Sequence, residues 1–126
     1  DNPAGFDLIA RPDDVRWTAM VMQPDFVTDT DVVAGVAAAK SKLVKKKQSE
    51  NPALDNMRLE RFGEGRAAQL LHIGSYADET PNIERLHAFI AGEGLSVSGK
   101  HHEIYLNDPG RTPPEKLKTI LRQPVS

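Results

Sequence analysis

The sequence predicts an α+β fold, a largely antiparallel sheet with helices on one face. Two segments carry helical spacing, and five short runs carry strand character. Their order is strand, helix, strand, strand, helix, strand, strand. Few strands with two helices suit a single sheet covered by helices better than a doubly wound or barrel fold. At 126 residues the chain has the length of one domain. It needs no staple to bury a core.

Residues 1–14 hold two prolines and a glycine with no sustained period, and read as an irregular lead-in. Val15–Met22 is β-branched and aromatic and stops at Pro24, which predicts a strand. Thr28 then caps a helix, with Asp29 and Asp31 favourable at its positive end. Val33, Val36, Ala37 and Lys40 follow helical spacing, continued by Leu43 and Val44. Lys40, Lys42, Lys45, Lys46 and Lys47 crowd the far end, up to residue 47, and complement the dipole there. Residues 48–55 form a polar linker.

Met57–Phe62 and Arg66–Ile73 flank Gly63–Glu64–Gly65 and predict a hairpin. Gly74–Glu79 is a loop. Thr80 and Pro81 then suit the cap and first position of a second helix. Ile83, Leu86, His87 and Ile90 form its buried stripe, and Gly92 and Gly94 end it. His101–Leu106 is a strand, extending back towards Ser96. Asn107–Gly110 is a turn cluster and Pro113–Glu115 a short stub. Leu117–Pro124 is the last strand. No repeat of solenoid length is present.

Lys and Arg number 16 against 18 Asp and Glu, for a net charge of −2. That balance argues against a nucleic-acid partner, and the lysine-rich helix end reads as a solvated terminus. There are no cysteines, so disulfides, thiolate metal sites and cysteine nucleophiles are excluded. Cysteine absence fits a cytoplasmic location. No apolar run is long enough to span a membrane, and no signal-peptide pattern opens the chain. No phosphate loop, nucleophile elbow or dinucleotide fingerprint occurs, so no cofactor is expected.

His101–His102–Glu103–Ile104–Tyr105–Leu106 is the most informative stretch. Alternation puts His102, Ile104 and Leu106 on one face and His101, Glu103 and Tyr105 on the other. Ile104 and Leu106 suit the core under the helices. The opposite face then holds an acid between an imidazole and a phenol. Such a carboxylate could bind a cationic aromatic ligand or act as an acid or base, or simply face water. The two adjacent histidines cannot chelate one ion from opposite faces. His72 and His101 could converge if their strands pair, but would need a third ligand, so no metal site is expected.

The segments W-T-A-M-V-M-Q-P-D-F-V-T (17–28), A-x-L-L-H-I-G-S-Y-A-D-E (68–79), I-E-R-L-H-A-F-I (83–90), G-K-H-H-E-I-Y-L-N-D-P (99–109) and P-E-K-L-K-T-I-L-R-Q-P-V (114–125) resemble the GyrI-like small-molecule-binding family. The resemblance covers about residues 15–125. It implies two pseudo-symmetric strand-helix-strand-strand modules with a ligand cleft between them. It also implies that Glu103, among aromatics, recognises cationic lipophilic compounds. The ligand-binding set it suggests is Trp17, His72, Tyr76, His101, Glu103 and Tyr105. Some stand-alone members hydrolyse cyclopropane-bearing DNA-alkylating compounds. Their catalytic glutamates would correspond here to Glu103 and Glu79. A third role within the family is interaction with a protein such as gyrase.

On this basis the chain is expected to be a single GyrI-like domain, 1–126. Residues 15–55 would hold the end of a first module and a connector helix. Residues 56–126 would hold a hairpin strand and a complete second module. Most of the first module is missing from this pattern. A second copy, or a chain supplying that half, would cover the surface so exposed. The expected partner is a small molecule, without direct nucleic-acid or membrane contact.

Overall fold

The computed structural model describes residues 17–126. The lead-in 1–14 and the first two residues of the strand expected at Val15–Met22 lie outside them. The chain divides into two compact units, with the boundary between Phe62 and Gly63.

In the first unit, helix α1 spans Asp29–Lys45. Thr28 begins it through a reciprocal capping box. The Asp31 amide donates to the Thr28 hydroxyl, and the Thr28 amide donates to the Asp31 carboxylate at 2.8 Å. The hydroxyl hydrogen bond from Thr28 holds the Asp31 carboxyl below its ordinary range. The half-buried stripe of α1 is Val32, Val36, Ala39 and Leu43; of the expected stripe Val36 and Leu43 are in it, while Val33, Ala37, Lys40 and Val44 are exposed. The observed stripe is the expected one turned partway round the helix, a rotation that periodicity alone does not fix. The choice follows from a 3-10 turn over Pro52–Asn56 that packs against α1 and carries Asp55 into an ion pair with Lys40.

Neither segment expected to be a strand in this unit is one. Residues 17–22 and 57–62 have irregular backbone. Strand character requires a neighbour for the backbone hydrogen bonds, and neither segment is paired into a sheet. The expected hairpin with Arg66–Ile73 is therefore absent.

The second unit is a strand-helix-strand-strand module. Strand β1 spans Ala67–Ile73, helix α2 spans Thr80–Gly92, strand β2 spans His102–Tyr105 and strand β3 spans Lys118–Pro124. The sheet is antiparallel with order β1-β3-β2. The short 3-10 turns Tyr76–Asp78 and Pro114–Lys116 lead into α2 and β3. The segment expected to extend β2 back to Ser96 instead pairs with the end of the chain. Ser96 and Ser126 exchange both backbone hydrogen bonds, and Val97 bridges Val125.

Pairing to β3 decides which face of each strand is covered. Leu70 stands opposite Leu121, and Leu121 opposite Glu103. Leu121 is fully buried with Ala68, Ile83, Leu86, Ile90 and Val125, so its face is the one α2 covers. Helix α2 buries Ile83, Leu86 and Ile90 as the spacing predicts, while His87 is half-buried. A Schellman ending closes it: Gly94, at φ +69°, donates to Ala91, and Leu95 donates to Ile90. The opposite face carries Leu71, Ile73, Ile104 and Ile120, with Leu71 and Ile73 at least half exposed.

This separation of faces sets the expected stability pattern. Leu121→Ala should cost about 2–5 kcal/mol, because a cavity opens beneath α2. Leu71→Ala, on the open face, should change stability by no more than about 0.5 kcal/mol. Urea unfolding of both variants checks this, and equal losses would show that the faces are misassigned.

Candidate functional site

Alternation along β2 places Glu103 and Tyr105 beside Leu121 and Thr119 on the α2-covered face. The sequence predicts Ile104 and Leu106 on that face; the alternation holds, but the covered face is the other one. Ile104 stands opposite Ile120 on the uncovered side, and Leu106 is half exposed. Two apolar residues suggested a core face, but the pairing partner on β3 determines which side α2 meets.

The covered face therefore has an apolar half and a polar half. Leu121 and Ala68 meet the buried side chains of α2. Towards the start of α2 lie His72, Glu79, Thr119 and Glu103, with the side chains of His101 and Glu103 at 6% and 8% exposure. His101 Nε2 is 3.4 Å from Glu103 Oε1, and the Tyr105 hydroxyl donates to Glu103 Oε2 at 2.7 Å. The Tyr76 and Tyr105 rings meet edge to face, 5.4 Å between centroids. Both phenol-bearing side chains are partly exposed, whereas the carboxylate that Tyr105 binds is not.

The two glutamates are driven apart electrostatically. The hydrogen bond with His101 is the largest influence on Glu103. Together with the Tyr105 hydroxyl it outweighs burial and holds the carboxyl below its ordinary range. Glu79 moves the other way. Burial pushes it up first and the nearby Glu103 charge second, with Thr119 and the imidazoles offsetting only part. Its Oε1 is buried without a hydrogen-bond partner among the described residues. Tyr105 is raised by burial and by its bond to the Glu103 carboxylate, so it stays a donor. His87 is lowered by burial and by proximity to His101, which keeps a further positive charge out of the cluster.

Glu79 is available to this cluster because it does not cap its helix with its side chain. Glu79 itself, not Thr80, is the N-terminal capping residue of α2, with Thr80 and Pro81 in the first turn and no side-chain cap bond. Asp78, its neighbour, is held by the Ser75 hydroxyl at 2.6 Å.

Of the residues singled out in the sequence, His72, Tyr76, Glu79, His101, Glu103 and Tyr105 thus lie in one unit, around the covered face near the start of α2. His72 and His101 do not come from paired strands, since β3 runs between β1 and β2. Trp17 belongs to the other unit, in irregular backbone and two-thirds exposed. His102 faces the opposite side, as alternation requires. There it binds Glu64 at 2.8 Å, and Arg122 reaches the same carboxylate at 3.2 Å. Burial raises Glu64, but these two hydrogen bonds win and hold it below its ordinary range.

Thr119 and Asn82 had not been singled out. Thr119 was legible as the residue two before Leu121 on the same strand face. Asn82 carried no signal, because its role is a bond to His72 ten residues away.

The opposed shifts carry opposite pH signatures. Glu103, depressed in the folded state, contributes stability above the ordinary value of 4.5 and loses it as pH falls through its folded value. Glu79, raised when folded, contributes most below 4.5, and that contribution disappears as pH rises through its folded value. Glu79→Gln should therefore melt at a higher temperature than the parent at pH 7, with the advantage shrinking towards pH 4.5. A constant difference across that interval would show that Glu79 ionises normally in the fold.

A family model for the GyrI-like small molecule binding domain matches residues 22–126. The crystal structure of a hydrolase from Listeria innocua is similar at a TM-score of 0.59 and 41% identity, over 82% of this chain and 52% of that one. The crystal structure of an uncharacterized conserved protein from Listeria innocua is similar at a TM-score of 0.61 and 43% identity, over 82% and 50%. The chain thus spans about half the length of these solved structures. No curated protein matches it. No helix among the described residues is long and apolar enough to cross a membrane. On the extent of the family match and these two likenesses, the chain belongs to the GyrI-like small-molecule-binding domain family.

Proposed function

We propose that the polar half of the covered sheet face binds planar, apolar or cationic small molecules, with Glu103 as its anionic anchor, in drug or toxin sensing or resistance. The observation that carries this reading is a buried carboxylate kept ionised and hydrogen-bonded to a partly exposed phenol. A carboxylate held below its ordinary range is a strong counter-charge and a weak base, which favours binding over proton abstraction. Tyr76 and Tyr105 offer aromatic surface to a flat ligand, and aromatic faces attract cations. The proposal draws on the sheet-bearing unit alone.

A second reading is hydrolysis of a cyclopropane-bearing alkylating compound. The split between the two glutamates favours it, because a neutral and an ionised carboxyl side by side divide acid and base roles. In that reaction the oxygen of water bonds to the ring methylene while a ring C–C bond breaks. The electron pair passes to the conjugated carbonyl, whose oxygen takes the Glu79 proton. Glu103 accepts the proton released by water, and a proton then returns from Glu103 to Glu79 through solvent, so that the net change is addition of one water. A similar solved structure is described as a hydrolase.

Two measurements test these readings. Fluorescence titration with ethidium, a planar cation, should give binding that weakens at least about tenfold, or about 1.4 kcal/mol, in Glu103→Gln. A neutral aromatic of similar size should lose much less. Equal ethidium affinity in both proteins would remove Glu103 as the anchor. For hydrolysis, the protein is incubated with a molar excess of a cyclopropane-bearing aromatic alkylator and hydrated product is counted by mass spectrometry. Many turnovers in the parent and none in Glu103→Gln are expected of an enzyme, whereas absence of product excludes that reading for this substrate.

A further inference from the structure

We infer that His72 is a positioning residue of this site, its imidazole clasping both ends of the segment 75–82 and so setting Glu79 and Tyr76. This role deepens, and rests on, the binding reading above. His72 is 2% exposed, and both of its ring nitrogens are engaged. Nε2 lies 2.9 Å from the Ser75 carbonyl oxygen, which can only accept, so Nε2 carries the hydrogen. Nδ1 lies 2.9 Å from the Asn82 amide nitrogen, which donates to it. The ring is therefore a neutral Nε2–H tautomer with neither nitrogen left for a ligand. This assigns His72 a part different from the direct contact that the family resemblance implied.

The chain is shaped around this ring. Gly74 sits at φ +142°, and a Cβ there would lie 3.3 Å from both Cε1 and Nε2 of His72. Only a residue free of both steric limits passes so close. Between the two anchor points runs the 3-10 turn Tyr76–Asp78, then Glu79 and the start of α2. The Ser75 carbonyl accepts from the Asp78 amide as well as from His72, and the Glu79 carbonyl accepts from Asn82 and Ile83. Each end of the segment is thus tied to β1, a strand within the sheet. The segment in turn delivers the Tyr76 ring to Tyr105 and the Glu79 carboxyl to the buried cluster.

The groups around Glu79 come from every neighbouring element: His72 from β1, Thr119 from β3, Glu103 from β2 and His101 from its lead-in. His87 of α2 is coupled to His101 in turn. A neutral clasp and a protonated ring predict opposite signs when the imidazole is removed. Were the ring protonated, its loss would take away a positive charge and raise the Glu79 titration midpoint. Release of the segment would let Glu79 reach water and lower it.

The test is a carbon-13 NMR titration of the Glu79 side-chain carboxyl in the ligand-free protein, with thermal melts to confirm folding. The parent midpoint should lie above the ordinary glutamate value of 4.5. In His72→Phe it should fall towards that value, with a change in the Tyr76 ring resonances. His72→Gln, which can still donate to Ser75 and accept from Asn82, should restore the parent midpoint. An ordinary midpoint in the parent, or an unmoved or raised midpoint in folded His72→Phe, overturns the inference. Should His72→Phe fail to fold, Asn82→Ala removes one half of the clasp and is judged by the same fall. Because no ligand is present, failure of ethidium to bind would sink the binding reading while this titration still judges the clasp.

Discussion

The inward side of β3 is the constraint on which the sheet-bearing unit depends. β3 is bonded to β1 along one edge and to β2 along the other. Its inward residues, Thr119, Leu121 and Gln123, are all buried. Leu121 gives α2 its apolar contact. Gln123 donates to the Gly99 carbonyl at 2.8 Å, fixing the backbone that leads to β2. Gly99 must be small there, since a Cβ would lie 3.0 Å from the Pro124 ring. Thr119 stands where the apolar half of the face gives way to the acids. One strand therefore sets both the core and the depth at which the two glutamates are held.

Hydrogen bonding, not depth, is what separates the two carboxyls. Both are glutamates, and both are largely withdrawn from water. Glu103 has an imidazole and a phenol pointed at it, and these favour the charged form. Glu79 has an oxygen without a partner and a charged neighbour, and both favour the neutral form. Burying two like charges side by side would be costly, so the proton stays where hydrogen bonding is poorest. A negative charge is thereby fixed at Glu103. The phenol that contacts it is itself kept protonated by that contact.

The two faces of the sheet divide their polar groups differently. On the open side, Glu64 gathers His102 and Arg122, and Arg122 also donates to Gln69. That carboxylate is satisfied by a cation and an imidazole. On the covered side the ionised carboxylate has no Arg or Lys against it among the described residues; its partners are an imidazole and a phenol. Under the binding role proposed above, that leaves its attraction available to a cationic ligand.

Local order was legible from the residues themselves. The Thr28 capping box, the apolar face of α2 with its glycine-dependent end, and the alternation of His101, Glu103 and Tyr105 against His102 all follow from short-range spacing. The family was legible too, from the motif segments that resemble it, and the family model matches residues 22–126. What the sequence could not determine was anything requiring a partner far along the chain. Residues 17–22 and 57–62 have strand composition but no paired neighbour. The half-buried stripe of α1 was chosen by the turn at Pro52–Asn56, and the covered face of β2 by its register with β3. The two hydrogen bonds of the His72 ring, to Ser75 and Asn82, likewise needed the fold to bring those residues together. Periodicity states which residues share a face; only tertiary pairing decides what that face meets, because burial and hydrogen bonding are properties of two surfaces and the sequence of either one describes half of each.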